Sequence, residues 1–160
     1  MPDGALSAAL EREHREIDSG IAAFIEKVGG SNGGSAQPEL LTAALDALRR
    51  HIYLEEAILF PPIREAGMVM PIFVMMREHG ELWHIVDCLT EMLVDGTANE
   101  QLADTCRRLL GQLERHNSKE EPVIYPQADV GLPPPVSEEL ARFIDSGRIP
   151  DGWICQQASR

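Results

Sequence analysis

His51-Ile-Tyr-Leu-Glu55-Glu56-Ala-Ile-Leu-Phe60-Pro61 returns 65 residues later as His116-Asn-Ser-Lys-Glu120-Glu121-Pro-Val-Ile-Tyr125-Pro126. In each copy a His is followed four residues on by a Glu, then a second Glu, an apolar residue two further on, an aromatic residue and a proline. The same offset carries Arg12-Glu13-His14 onto Arg77-Glu78-His79, so four of the five histidines obey one internal repeat.

Helical periodicity surrounds each of these histidines. Leu10, Ile17, Ile21, Phe24 and Ile25 predict a first helix from Ala5 to about Val28, stopped by a flexible glycine-rich loop from Gly29 to Ser35. Pro38 opens a second helix whose stripe of Leu41, Ala44, Leu45 and Leu48 runs to His51 and beyond, with Pro61-Pro62 expected to bend or end it. A third helix is expected from about Pro71 to Val94, closed by Asp95-Gly96. A fourth is expected from a capping Asn99 through Leu102, Leu109 and Leu113 to Glu120, with Pro122 kinking its end. Four such helices joined by short loops imply an all-α fold, an up-down-up-down antiparallel four-helix bundle over residues 1–130. Residues 131–160 form a C-terminal tail in which Ser137 caps a short helix bearing Leu140, Phe143 and Ile144 and ended by Gly147. That stripe is expected to cover the bundle; docking a protein partner is the alternative.

A chain of 160 residues suits one bundle and its tail, and the net charge of −12 argues against nucleic acid or an anionic membrane surface as a partner. No apolar run nears the ~20 residues of a membrane span, and no cleavable leader is evident, so a cytoplasmic location is expected. Three cysteines without Cys-x-x-Cys spacing predict reduced, mostly packed thiols.

Residues four apart lie ~6 Å along a helix and ~40° around it, so His51 and Glu55 project from one face, as do His116 and Glu120. Those faces also carry core leucines. Burying an unpaired carboxylate costs several kcal/mol, so two Glu and four His converging in one bundle need compensation. Metal ions supply it: mixed imidazole and carboxylate ligands suit iron or manganese, and two bridging carboxylates imply a pair of ions.

His14, His51-x-x-x-Glu55, His79 and His116-x-x-x-Glu120 together resemble the hemerythrin-like, or HHE cation-binding, domains over roughly residues 5 to 126. The resemblance implies two non-haem iron ions, with manganese or zinc as substitutes. It places His14 and His51 on one, His79 and His116 on the other, and Glu55 and Glu120 as bridges; the repeat divides the chain in the same way. Oxygen carriers of the family have a further His one turn after the third-helix ligand, where this chain has Trp83. His84 lies ~140° around the helix from His79 and is not expected to ligate. Each iron then keeps room for solvent, dioxygen, nitric oxide or peroxide, and simple reversible oxygen carriage is not expected.

A ferritin-like scheme built on Glu11-x-x-His14 and Glu81-x-x-His84 ranks second, because it strands His51 and His116. Glu56 and Glu121 are placed either as partners of ligating imidazoles or at a solvated rim. Tyr53 and Tyr125 fall ~180° or more from the histidine faces of ideal helices, which predicts no proton-donor role. Two functions follow: a di-iron protein that senses dioxygen, nitric oxide or peroxide or handles iron, and a di-iron enzyme with peroxide-dismutating, peroxidase or oxidase activity. The first is favoured, since no motif selects an organic substrate.

Overall fold

The computed structural model describes residues 5–29 and 37–158, and the described residues form helices and turns without a strand. The chain runs through α1 (Leu6–Val28), α2 (Pro38–Leu54), a π-helical turn (Glu55–Leu59), α3 (Phe60–Glu65), α4 (Val69–Asp95), α5 (Asn99–Val123), α6 (Tyr125–Val130) and α7 (Pro134–Ser146). The predicted loop at Gly30 to Ser35 lies outside the described residues. Among those described, no helix is long and apolar enough to cross a membrane.

The long helices pack as a ring, α1 against α2 and α5, and α4 against α5 and α2. Gly20 lets α1 approach α2 closely, for a Cβ there would stand 3.1 Å from the Cβ of Ala44. α4 ends at Gly96, whose φ of 70° is the left-handed conformation that glycine adopts without strain.

The apolar core falls into two clusters, and the histidines lie between them. One cluster holds Ile17, Leu48, Leu82 and Leu113; the other holds Leu10, Ile58, Met76 and Ile124. On α1 the chain passes from Leu10 through His14 to Ile17, and on α4 from Met76 through His79 to Leu82. α2 and α5 cross in the opposite order, with Leu48 and Leu113 before their histidines. A polar layer at this level interrupts burial that would otherwise be continuous, so its groups must satisfy one another or a ligand.

One local expectation is narrowed and two are corrected. Pro61 and Pro62 do not end the helical path, which continues as α3 to Glu65. A proline in a continuous helix crowds the carbonyl four residues back, and the wider π turn before Phe60 makes room. Asn99 is the first residue of α5 rather than its cap; Ala98 takes that place, with no side-chain cap. Ser137 likewise falls inside α7, which begins at Pro134 because proline's fixed φ suits a first turn.

α7 and the following segment lie against the bundle. Leu140 is fully buried in the second cluster, with Phe143 and Ile144 packed beside it. Arg50 of α2 ties down the end of α7 by donating to the carbonyls of Phe143, Ile144 and Gly147. Cys106 and Cys155 are buried and Cys88 exposed, all as free thiols.

A candidate metal centre between the two apolar clusters

His14, His51, His79 and His116 are each at most 4% exposed, and Glu55 and Glu120 are wholly buried. One ligand atom from each of His14, His51, Glu55 and Glu120 lies within 4.8 Å of the others, and the same holds for Glu55, His79, His116 and Glu120. The two glutamates belong to both groups. All six residues singled out by the repeat therefore meet in one place.

The imidazoles are oriented alike. Each turns Nε2 inward: His51 Nε2 lies 3.0 Å from Glu55 Oε2, His79 Nε2 2.9 Å from Glu55 Oε1, His14 Nε2 3.2 Å from Glu120 Oε1 and His116 Nε2 3.5 Å from the same oxygen. Each Nδ1–H donates outward to a carboxylate. Glu121 accepts from His14 at 2.7 Å, Glu13 from His51 at 2.8 Å, Glu56 from His79 at 2.8 Å and Glu78 from His116 at 2.9 Å. An ionised carboxylate only accepts, so these contacts fix a proton on Nδ1 and make Nε2 the nitrogen that can bind a metal once it carries no proton. The outer pairs obey the offset of 65 residues too: Glu13 maps to Glu78 and Glu56 to Glu121. Glu56 and Glu121 thus fall at the imidazoles rather than at a solvated rim. Glu13 and Glu78 received no role from the sequence, although both stand beside a histidine in the repeated Arg-Glu-His.

Tyr125 is the main departure from expectation. Its hydroxyl donates to Glu55 Oε2 at 2.6 Å and lies 2.7 Å from His14 Nε2 and 2.8 Å from His51 Nε2. Reading it on an ideal continuation of the fourth helix fails because that helix stops at Val123, just after Pro122, and α6 starts afresh at Tyr125. Tyr53 does stay away, packed on Phe143 and Trp153. His84 is exposed, Glu81 points to Gln112, and neither joins the cluster, which disfavours the ferritin-like set. Trp83 is buried, edge-on to Trp153 at 5.5 Å and beneath the Arg49 guanidinium.

The electrostatics follow from these contacts. Burial by itself would lower the pKa of His51, but Glu55 and Glu13 outweigh it and hold the imidazole at about 10. His116 likewise reaches about 10 against its burial, through Glu120 and Glu78. Burial works to raise Glu55, yet His51 and His79 hold it well below the ordinary carboxylate range. Burial, then the charges of Glu120 and Glu55, push the Tyr125 phenol well above its usual value, so it keeps its proton.

Glu120 tests whether a metal fits. Both of its carboxylate oxygens are buried without a hydrogen-bond partner. His14 Nε2 at 3.2 Å and His116 Nε2 at 3.5 Å face its Oε1 as charge partners, but neither contact has hydrogen-bond geometry. A buried carboxylate without hydrogen bonds is unstable alone, whereas it is an ordinary ligand for a cation lying between it and four imidazole nitrogens. A cavity of about 10 Å³ borders the cluster, lined by the four imidazoles and Glu55 on one side and by residues such as Leu48, Leu82 and Leu113 on the other, and is large enough for about one water-sized group.

Comparison with known proteins agrees with this geometry. The chain resembles the iron-sulfur cluster repair protein YtfE of Yersinia pestis (strain Pestoides F) and of Yersinia pseudotuberculosis (serotype O:1b, strain IP 31758), with 33% identity over 99 residues in each case. That alignment takes in 55% of this chain and 44% of each relative, so the chain spans less than half the length of these relatives. No solved structure matches it significantly. The model of the hemerythrin HHE cation-binding domain matches residues 5–128. The chain belongs to the hemerythrin HHE cation-binding family.

Proposed function

We propose that this chain is a non-haem di-iron protein in which His14 and His51 hold one iron, His79 and His116 the other, and Glu55 and Glu120 bridge them. The observation that carries it is Glu120, buried with two unpartnered oxygens at the junction of two four-residue ligand groups. The alternate order in which successive long helices pass between the two apolar clusters supports an up-down-up-down antiparallel bundle over residues 1–130. The covering contacts of α7 support reading 131–160 as a tail.

Iron, when bound, supplies redox chemistry and open coordination positions. The protein's part is to orient and enclose. Glu13, Glu56, Glu78 and Glu121 hold the four imidazoles by their Nδ1 protons. The small cavity beside the cluster, lined by Leu48, Leu82 and Leu113 as well as by the imidazoles, leaves room there for a group of about the size of one water. We read the function as a response to dioxygen, nitric oxide or peroxide, or as iron handling; the iron-sulfur repair role in the name of the relatives makes the last a direct comparison.

A second reading, peroxide-dismutating, peroxidase or oxidase activity, is favoured by one observation. The Tyr125 hydroxyl keeps a proton at Oη beside the cluster, where general acid chemistry on a small oxygen species would need one.

The test is the optical spectrum of the iron-loaded, reduced protein before and after dioxygen, nitric oxide and peroxide, with turnover of peroxide followed in parallel. Stoichiometric spectral change without turnover supports sensing or iron handling. Sustained turnover that falls at least tenfold in Tyr125→Phe supports the enzyme, and no spectral response to any of the three contradicts both.

A further inference from the structure

The same 65-residue offset that pairs the ligands also pairs the two faces of the bundle beside them, and those faces differ in chemistry. On the α1–α5 side stand Asp18, Glu114 and Asn117. Their equivalents on the α2–α4 side are Trp83, Arg49 and Ile52. Trp83 and Ile52 are 4% and 1% exposed, and the C-terminal segment closes over that side. Trp153 packs on Trp83, Gln156 N–H donates to Glu56, and a Cβ at Gly80 would stand 2.7 Å from the carbonyl oxygen of Gln157. The second face is sealed.

The first face is open and polar. A surface groove of about 520 Å³ between α1 and α5 shares His14, Asp18 and Asn117 with the small cavity at the metal cluster. Asn117 is 8% exposed, and its Oδ1 is buried without a hydrogen-bond partner; Asp18 Oδ1 is likewise unpartnered. Three carboxylates line the groove, those of Asp18, Glu114 and Glu121, against the single guanidinium of Arg15. Unpartnered amide and carboxylate oxygens leading to inward-facing imidazoles match the needs of a borderline divalent cation that exchanges water first for oxygen and then for nitrogen ligands. The excess negative charge in a concave groove raises the local concentration of cations.

Resting on the di-iron reading, we propose that this groove is the inlet through which ferrous iron reaches the centre, with Asp18 and Asn117 as its transient ligands and Glu114 as an outer attractor. His14 is the first permanent ligand on the path.

The experiment is anaerobic loading of metal-free protein with ferrous sulfate, unbound iron being trapped at timed intervals by a chromophoric chelator. Wild type is expected to take up two ions per chain, more slowly as salt rises. Asp18→Asn and Asn117→Leu are expected to load about tenfold more slowly while reaching the same final content. Glu114→Gln, an exposed change that leaves the core intact, is expected to load several-fold more slowly with a weaker salt dependence. Wild type that binds two ions at a rate matched by all three variants would overturn the inlet and leave the di-iron reading standing. Wild type that takes up no iron would overturn both.

Discussion

Tyr125 and Phe60 occupy equivalent positions of the repeat, yet they meet the histidine–glutamate cluster differently. The Tyr125 hydroxyl lies within 2.8 Å of Glu55, His14 and His51, whereas the Phe60 ring stacks on His79 at 5.5 Å and 17°. One half-site therefore carries a phenolic proton and the other a hydrocarbon. Tyr125→Phe takes a hydrogen bond from a fully buried carboxylate and should lower the stability of the metal-free protein by about 1–3 kcal/mol. Urea unfolding in the presence of a chelator measures it; an unchanged midpoint would mean that the hydroxyl does not stabilise Glu55.

Glu13 and Glu78 are equivalent by the offset, and each receives the Nδ1–H of a histidine on another helix, His51 and His116. Glu13→Gln and Glu78→Gln should each weaken metal binding by about 10–100-fold while leaving the ligands in place. Competition with a chelator of known affinity reads this directly. Effects confined to one of the two would show that the repeat does not extend to function in this outer ring.

The residues that the sequence reveals and those it hides differ in how far they depend on regular helix geometry. His-x-x-x-Glu is legible because its spacing keeps both groups on one face whatever surrounds the helix. Glu13 and Glu78 are ~100° from their neighbouring histidines and look like surface positions, because their partners sit on other helices. Their only signal is that Arg-Glu-His occurs twice. Tyr125 is misread because Pro122 precedes a break in the helix, after which an angular count from His116 has no meaning. The π turn at Glu55–Leu59 hides in the same way: an extra residue in one turn lets Glu55 and Glu56 both be buried, which the periodicity of an α-helix does not foresee.

The metal-free centre should respond to pH with opposite signs at the two ends of the scale. His51 and His116 have folded pKa values of about 10, above the unfolded value of 6.5. Their contribution to stability is complete below pH 6.5 and is lost as pH rises through 10. Glu78 is held at about 2, because His116 and Lys119 outweigh its burial. Its contribution is complete above pH 4.5 and is lost as pH falls through 2. In the proposed centre a metal at Nε2 displaces the protons of His51 and His116, so loading at pH 8 should release about two protons or more per chain. Proton release measured in weak buffer checks this, and a value near zero would contradict the protonated metal-free site.

Arg50 connects the centre to the tail. It pairs with Glu13, which holds His51, and donates to the last carbonyls of α7. Arg50→Ala should leave those carbonyls short of a partner and free α7 and the Trp153 segment before the bundle opens. Hydrogen exchange should accelerate in residues 134–158 and remain slow at the core leucines of α1 and α5. Equal acceleration throughout would show that tail and bundle open as one unit.

In the proposed paired metal site each half of the chain supplies an equivalent set of ligands, and iron stoichiometry decides between this arrangement and a single ion. Metal-free protein titrated anaerobically with ferrous iron should saturate at about two ions per chain, as the two four-residue ligand groups require. His51→Ala and His116→Ala should reduce that content to similar extents, and His84→Ala should leave it unchanged. Saturation at one ion, or tight binding of a single zinc in preference to iron, would contradict the paired site.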